Sequence, residues 1–260
     1  MKHHWTRTKK AIPALLLALS VSMPSAFAWT DQTHMAIERA AGLKSYQNAP
    51  APDVMKADVR INHLPKDDGQ AHFFDADHMP TRADVTKQLT EIGMNRQQAP
   101  DGYLLGAIIN ATRAAKAQTA SGRFDDYYYA VLGHYVGDLS MPLHLSVYDN
   151  FNRQHHLAID QTLNRNDVSW DVDAVPLITK EMTVDDGLRF QNEDEVINEM
   201  LNIAQESYEL AQTLRKENRN LTHAEAIACV NRSASFLRAL MRYCGKNVET
   251  DGLSTYVHNK

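Results

Sequence analysis

The sequence predicts an all-α protein, because apolar residues recur with the period of a helix in each of its long segments. This pattern covers residues 31–43, 101–120, 124–140, 194–217 and 222–245. No stretch shows the sustained alternation of apolar and polar residues that indicates β-strands. No internal repeat or low-complexity linker divides the chain, so we expect a single multi-helix domain.

Each predicted helix has an inward stripe of apolar residues. Side chains three or four positions apart lie on the same face of a helix, so such a stripe can pack against a neighbouring element. In chain order, the stripes of the first four helices contain Ala36, Ile37 and Ala40; Leu104, Leu105, Ile108 and Ile109; Val131 and Tyr135; and Val196, Ile197, Met200 and Leu201.

The last predicted helix has the clearest boundaries. Thr222 and Glu225 have the spacing of a capping box at its start, and Gly245 lies where a C-terminal cap is expected. Pro142 ends the third predicted helix, because proline cannot continue a helix. Residues 149–192 are rich in Asn and Asp and are predicted to be mainly loop.

Residues 1–28 predict a signal peptide and not a part of the fold. They contain a positive n-region without acidic residues, an apolar stretch over 11–23 and a small-x-small cleavage signal that ends at Ala28. The apolar stretch is short for a membrane span, and an uncleaved anchor is the alternative. Cleavage would release the mature domain, residues 29–260, into the periplasm or the medium with Trp29 as its first residue.

Composition limits the possible partners. Loss of the four basic leader residues takes the formal net charge from −5 to −9. Such an acidic chain has no polycationic face that would bind nucleic acid through counterion release, so an anionic ligand would have to be bound locally. The cysteines, Cys229 and Cys244, lack Cys-x-x-Cys spacing. They could pair in an oxidising compartment, and two buried thiols are the alternative.

The strongest chemical signal is the run from His134 to His144. His134 and Asp138 are four residues apart, so a helix presents both side chains on one face, where imidazole and carboxylate can chelate zinc. Pro142 then turns the chain, and His144 can return toward the same site. The spacing of His134 and Asp138 alone would also fit a hydrogen bond on a helix surface.

Other histidines and aspartates extend this pattern. His156 and Asp160 repeat the four-residue spacing, and a solvated helix start in a polar loop is the alternative. Three further residues, His34, Asp58 and His72, are weaker candidates when taken singly. A hydrogen-bonded core histidine or an ordinary surface carboxylate would explain each of them.

Together these residues resemble the zinc-dependent phospholipase C / P1 nuclease family. That family begins its mature chains with tryptophan and contains a His-x-x-x-Asp-x-x-x-x-x-His segment, and the resemblance covers Trp29 to about Asp160. It implies three Zn²⁺ ions. One would be held by Asp58, His72, His134 and Asp138, one by His144, His156 and Asp160, and one by the freed amino group and carbonyl of Trp29 with His34 and a shared oxygen of Asp138.

The resemblance also implies an enzyme that hydrolyses a phosphate ester with a zinc-activated water. Its catalytic set would be Asp58, Asp138 and Arg60. Arg60 would assist the phosphate as a charged donor, and a surface arginine is the alternative. Phe73 and Asp75 resemble residues that hold a base in the nuclease branch. The phospholipase branch has a similar run, and core and cap positions are a further alternative.

The choice of substrate rests on spacing. The distance from Trp29 to His34 resembles the nuclease branch, whereas the short segment between His144 and His156 resembles phospholipase C. Val59 stands where a choline-binding aromatic would be expected, which argues against a choline preference.

We therefore expect a phospholipase C that cleaves the glycerol-side phosphate ester of phospholipids. A P1-type single-strand nuclease and 3′-nucleotidase with the same zinc site is the alternative. A zinc-storing helical protein without turnover is a third reading. Peripheral contact with a membrane fits the first reading, and no stable protein partner is predicted.

Overall fold

The computed structural model describes residues 29–53, 68–164 and 174–248, together with the backbone of residues 255–256. These residues are mostly helical, which confirms the all-α prediction. The longer helices are α1 (Asp31–Ala41), α2 (Arg82–Glu91), α3 (Leu104–Ala120), α4 (Asp126–Leu139), α5 (Asn150–Asp160), α6 (Ala174–Glu181), α7 (Glu193–Glu217) and α8 (His223–Tyr243). Three 3-10 helices cover Tyr46–Asn48, Asp68–His72 and Pro142–Leu145, and residues 51–53 are also helical. Two short strands, β1 (Val184–Asp185) and β2 (Thr255–Tyr256), pair in parallel.

The helices predicted from apolar periodicity correspond to α1, α3, α4, α7 and α8. The Thr222 side chain accepts a hydrogen bond from the backbone of Glu225, and the Glu225 carboxylate accepts one from the backbone of Thr222, so the capping box of α8 is confirmed. Gly245 follows the end of α8 with a φ of 85°, in the left-handed region that favours glycine. Local sequence signals therefore determine where this helix begins and ends.

The prediction that residues 149–192 are mainly loop was wrong, because this segment contains α5 and α6. Asp149 is the N-cap of α5, and its side chain accepts a hydrogen bond from the backbone of Asn152 at 2.9 Å. Phe151 and Ile159 are buried on the inner face of α5. Asn and Asp are favoured both at helix N-caps and in turns, so composition alone could not separate the two cases. Helix α2 is also absent from the sequence prediction.

Helix α4 is the central helix of the described fold. It packs against α1, α3, α7 and α8, and Tyr129, Leu132, Val136 and Leu139 are fully buried along it. Full burial of each such side chain contributes roughly 1.5–3 kcal/mol. The same helix carries His134 and Asp138, so the candidate ligands are built on one of the best-packed elements of the molecule.

Two glycines of α4 allow α1 to approach it closely. A Cβ atom on Gly133 would lie 2.5 Å from Oε1 of Glu38, and one on Gly137 would lie 2.5 Å from Nδ1 of His34. Both separations are shorter than real contacts of a Cβ atom, so a larger residue at either position would displace the side chain of Glu38 or His34, or push α1 away. The close approach of α1 to α4 is what brings His34 toward Asp138.

The cysteines are free thiols in this fold. Cys229 and Cys244 are both buried, and burial raises the pKa of each thiol to about 11. They are separated along α8 by roughly 20 Å, whereas a disulfide requires Cα atoms within about 7 Å. Of the two readings left open by the sequence, buried thiols is the correct one.

Within the described residues, no helix is both long enough and apolar enough to cross a membrane.

Candidate metal centre

Three histidines and an aspartate meet where α1, α4 and the 3-10 helix Asp68–His72 come together. His34 extends from α1, His72 ends the 3-10 helix, and His134 and Asp138 face them from α4; all four side chains are buried. Nδ1 of His72 lies 3.0 Å from Oδ2 of Asp138 and 3.2 Å from Nε2 of His134. Nε2 of His34 lies 3.5 Å from Oδ1 of Asp138.

These separations are compatible with atoms that share a metal ion. Ligand atoms at 2.0–2.1 Å from a tetrahedral zinc lie about 3.3 Å from one another. His34, His134 and Asp138 form one group that could hold a metal ion, and Asp53, His72 and His134 form another. Asp138 turns Oδ1 toward His34 and Oδ2 toward His72. Its carboxylate therefore faces both sides of the cluster, as a bridging ligand must.

Asp53 belongs to this cluster although the sequence analysis did not select it. Its Oδ2 lies 3.6 Å from Nε2 of His134, and its Oδ1 lies 3.9 Å from Nδ1 of His72. The segment that carries Asp53, residues 49–53, is held against α4 because Nδ1 of His134 donates a hydrogen bond to the carbonyl of Ala49 at 2.9 Å. No local pattern in the sequence separates Asp53 from other carboxylates. Asp58 and Arg60, which the sequence analysis assigned here, lie outside the described residues.

A second group of predicted ligands lies beside the first. Nε2 of His144 is 3.2 Å from Nε2 of His156, and Nε2 of His156 is 3.6 Å from Oδ2 of Asp160. All three side chains are buried. Nδ1 of His144 also lies 3.8 Å from Oδ1 of Asp138, so the two groups form one continuous cluster. The structure thus places seven of the residues selected from the sequence close together: His34, His72, His134, Asp138, His144, His156 and Asp160.

Hydrogen bonds to Nδ1 orient three of these imidazoles. Nδ1 of His134 donates to the carbonyl of Ala49, and Nδ1 of His144 donates to the carbonyl of His72 at 2.5 Å. Nδ1 of His156 donates to Oδ1 of Asn152 at 2.7 Å. A proton held at Nδ1 leaves the lone pair of a neutral imidazole on Nε2. Such outer partners normally accompany histidine ligands of metals.

The amide of Asn152 is itself held in one orientation. Its Nδ2 donates a hydrogen bond to the carbonyl of Leu143 at 2.8 Å, so its Oδ1 is turned toward His156. The two ends of the amide are therefore assigned by their partners. Asn152 links the orientation of His156 to the 3-10 helix that carries His144. The sequence analysis did not select Asn152, although it lies four residues before His156, on the same helix face.

The electrostatics of the cluster fit a cation. Burial, followed by the proximity of His34, lowers the pKa of His134 to about 4, so its imidazole is neutral at pH 7. Burial and then the negative charges of Asp138 and Asp53 raise the pKa of Asp160 well above its usual value. Asp138 makes ion-pair contacts with four histidines, His34, His72, His134 and His144.

A bound divalent ion would remove the repulsion in this arrangement. The Nε2 lone pairs of His144 and His156 face each other across 3.2 Å, and the buried carboxylates of Asp53, Asp138 and Asp160 lie close enough for their negative charges to interact. Burial of charge is costly unless it is paired or coordinates a metal. Imidazole nitrogen and carboxylate oxygen are ligands that suit zinc and similar divalent transition metals. The residues present therefore fit a metal centre.

Trp29 lies beside the end of α4 that carries Asp138. Its side chain is fully buried, and its indole N–H donates to Oγ of Ser140 at 3.4 Å. The next residue, Thr30, is the N-cap of α1, and its hydroxyl donates to Oδ1 of Asn164 at 2.5 Å. The segment before α1 is thus fixed near the cluster. Residues 1–28 lie outside the described residues, so the amino group of Trp29 as a ligand stays a prediction.

Phe73 and Asp75 follow His72 at the edge of the cluster, and both are half-buried. The Phe73 ring packs on Gly102, where a Cβ would lie 2.7 Å from Cδ2. The backbone N–H of Asp75 donates to the carbonyl of Asp101 at 2.8 Å. Burial raises the pKa of the Asp75 carboxyl to about 7, with Arg96 opposing this rise and Asp101 adding to it.

Comparisons with known proteins do not assign this chain to a family. No family model matches this chain. No curated protein is significantly similar to it. The case for a function therefore depends on the residues and the geometry described above.

Proposed function

We propose that this protein is a zinc-dependent phosphodiesterase of the phospholipase C / P1 nuclease type. The observation that carries the proposal is Asp138, a buried carboxylate with His34 on one oxygen and His72 on the other at 3.5 and 3.0 Å. A structural ion pair needs one partner, whereas a carboxylate with nitrogen ligands on both oxygens is suited to two metal ions held close together. The ligand spacing in the sequence supports the same reading.

The proposed ligand sets follow the resemblance, with one addition. His72, His134 and Asp138 would hold one zinc with Asp58, and Asp53 is a further carboxylate at this position. His144, His156 and Asp160 would hold the second zinc. His34 and Asp138 would hold the third with the amino group and carbonyl of Trp29, once the leader has been removed during export to the periplasm or the medium.

When bound, the ions would supply an acidified water and positive charge for the phosphoryl oxygens. The chain itself supplies orientation and burial. The backbone carbonyls of Ala49 and His72 and the amide of Asn152 hold protons at Nδ1 of three histidines, so that each Nε2 stays an acceptor. Asp138 fixes the spacing between neighbouring sites. The buried surroundings strengthen each electrostatic interaction with a phosphate.

We propose a phospholipid as the substrate. What supports this is the short connection between His144 and His156, which leads through Asp149 directly into α5 and leaves no room for a large insertion. The acidic net charge also disfavours long polyanions. One observation favours the nuclease alternative. The half-buried Phe73 follows His72 directly in the chain, and a nucleic-acid base could stack on its ring.

The test begins with the mature protein that starts at Trp29. Hydrolysis of bis(p-nitrophenyl) phosphate should vanish with a chelator and return with zinc. Phosphatidylcholine, other phospholipids and single-stranded DNA, assayed side by side, would then separate the two enzymes. A zinc-loaded protein that is inert on every phosphodiester would overturn the proposal in favour of zinc storage.

A further inference from the structure

Helix α5 carries two candidate ligands but packs on the other helices less closely than α1 and α4 do. His156 and Asp160 lie on its buried face, whereas Asn150 and Arg153, near its start, are exposed. Individual side-chain contacts at the start of α5 therefore contribute strongly to where the two ligands lie.

Arg215, in the last turn of α7, holds the start of α5. Its Nε donates a hydrogen bond to Oδ2 of Asp149 at 3.0 Å, and its Nη2 donates one to the carbonyl of Val147 at 3.3 Å. Its guanidinium also lies 5.4 Å from the centre of the Phe151 ring, a distance at which a cation attracts an aromatic face. One side chain thus contacts the segment before the helix, the N-cap and the first turn.

The guanidinium of Arg215 is itself held on a well-anchored helix. Its Nη1 donates a hydrogen bond to Oε1 of Gln212, one turn earlier on α7, at 3.2 Å. The Ser207 hydroxyl donates to the carbonyl of Leu139 at the end of α4, at 2.9 Å. Helix α7 also packs against the 3-10 helix that carries His144. The same helix therefore contacts both the element that carries His144 and the start of α5.

The contact between Arg215 and Asp149 is connected to the orientation of His156. While Oδ2 of Asp149 accepts from Arg215, Oδ1 accepts from the backbone N–H of Asn152 at 2.9 Å. The Asn152 side chain in turn accepts the Nδ1 proton of His156 at 2.7 Å. The N-cap and the first turn of α5 therefore link Arg215 to a candidate ligand.

We propose that Arg215 is a positioning residue for the second metal ion, which His144, His156 and Asp160 would hold. This role rests on the proposed function. Arg215 acts through Asp149 and does not bind the ion. It holds α5 beside the 3-10 helix that carries His144, so that Nε2 of His144 and Nε2 of His156 stay 3.2 Å apart. Without this contact the ligands remain in the chain, but their aligned arrangement is populated less and the ion binds more weakly.

An ion pair that only stabilises the fold is the alternative role for Arg215. The Arg215 side chain is 24% exposed and that of Asp149 is 39% exposed, so the charges are screened and contribute little to stability. Arg219 offers a matched control, because its side chain is 32% exposed and pairs with Glu225, which is 29% exposed. That pair lies at the start of α8, which carries none of the candidate ligands.

The experiment compares the mature protein with Arg215→Met, Asp149→Asn and the control Arg219→Met. Methionine keeps an apolar stem but removes the charge and the donors. Asparagine at 149 keeps the N-cap, because it can accept from the Asn152 backbone as aspartate does, but it removes the charge that Arg215 contacts. Zinc affinity is measured by competition with a chromophoric chelator, and thermal unfolding is measured with and without zinc.

Arg215→Met should weaken the binding of one zinc ion about tenfold, because it loses an ion pair, a charge-assisted hydrogen bond and a ring contact, all partly exposed. Asp149→Asn should weaken the same ion about threefold. The double variant should bind no more weakly than Arg215→Met, since both changes remove one contact. The rise in unfolding temperature on adding zinc should shrink in Arg215→Met and be retained in Arg219→Met.

Wild-type zinc affinity in Arg215→Met, or an equal loss of affinity in Arg219→Met, would overturn the positioning role and leave the proposed function intact. Weaker binding of every zinc ion in Arg215→Met would also contradict this role, because it is confined to the ion beside His156. A wild-type protein that binds no zinc would overturn the proposed function and the role of Arg215 with it.

Discussion

Nδ1 of His144 donates a hydrogen bond to the backbone carbonyl of His72 at 2.5 Å, and the carbonyl of His144 accepts one in return from the backbone N–H of Phe74 at 2.8 Å. This reciprocal pair joins two segments that are far apart in the chain. It sets the proton of His144 on Nδ1 and turns Nε2 toward His156. The two groups of candidate ligands are thereby fixed relative to each other before any ion binds.

Asp138→Asn should abolish activity and lower the zinc content of the mature protein. The amide keeps the shape of the side chain but loses its charge and half of its acceptor capacity, so it cannot bridge two metal ions beside His34 and His72. Bound zinc is measured by atomic absorption, and activity with bis(p-nitrophenyl) phosphate. Asp194→Asn is the control, because the Asp194 side chain is 79% exposed and distant in sequence from the site. A fully active, fully metallated Asp138→Asn protein would contradict the assigned role.

Gly137→Ala should weaken metal binding even though alanine is the better helix former. A Cβ at this position would lie 2.5 Å from Nδ1 of His34, so either the imidazole or α1 must move. Helix propensity alone would favour alanine by about 1 kcal/mol. Gly122→Ala is a control for backbone effects, because Gly122 has a φ of 67° but no atom within 4 Å of the added Cβ. A variant with unaltered zinc affinity would show that the close approach of α1 is unnecessary.

Asn152→Ala should lower zinc affinity about 10–100-fold, the usual effect of removing an outer partner of a histidine ligand. The amide accepts the Nδ1 proton of His156 at 2.7 Å, and its loss allows the other tautomer, in which Nε2 carries the proton. Competition with a chromophoric chelator measures the affinity. Gln154→Ala, on the exposed side of the same helix, should have no effect. Equal affinities in the two variants would argue against this role of Asn152.

Glu38→Gln should change how stability depends on pH. Burial raises the pKa of the Glu38 carboxyl well above 4.5, so the folded chain keeps a proton that the unfolded chain releases. The contribution of Glu38 to the free energy of unfolding is therefore full below the pKa that its carboxyl has in the unfolded chain. This contribution is lost as the pH rises through the higher pKa of the folded chain. Denaturant unfolding at several pH values from about 4 to 8 measures this decline. Wild-type stability should fall more steeply than that of the variant, and parallel curves would exclude a protonated Glu38.

A chain that retains even one residue before Trp29 should lose part of its metal. The freed amino group has a normal pKa near 8, and metal binding can deprotonate it. An amide nitrogen in its place has no lone pair to donate. Metal stoichiometry and rate are compared between the processed and the extended protein. Identical values for both would remove the amino terminus from the ligand set.

Much of the helical structure could be predicted from patterns of neighbouring residues in the sequence. The capping box at Thr222 and the apolar stripes of α1, α4 and α8 are properties of a few neighbouring residues, and each was confirmed. The four-residue spacings of His134 with Asp138 and of His156 with Asp160 likewise guarantee that each pair shares a helix face. The short helix α5 was missed, because Asp149 and Asn150 at its start resemble loop residues as closely as they resemble caps. The capping box of Thr81 and Asp84 at the start of α2 was overlooked.

By itself, the sequence determined the helical class and the residue types that a metal centre needs, since both depend on spacings within one or two helical turns. Only the tertiary structure decided that Asp53 joins the cluster, that glycines of α4 admit His34, and that the cysteines stay apart. It also decided that His156 and Asp160 lie on the buried face of α5. These features depend on contacts between residues far apart in the chain, and no local pattern encodes such distances.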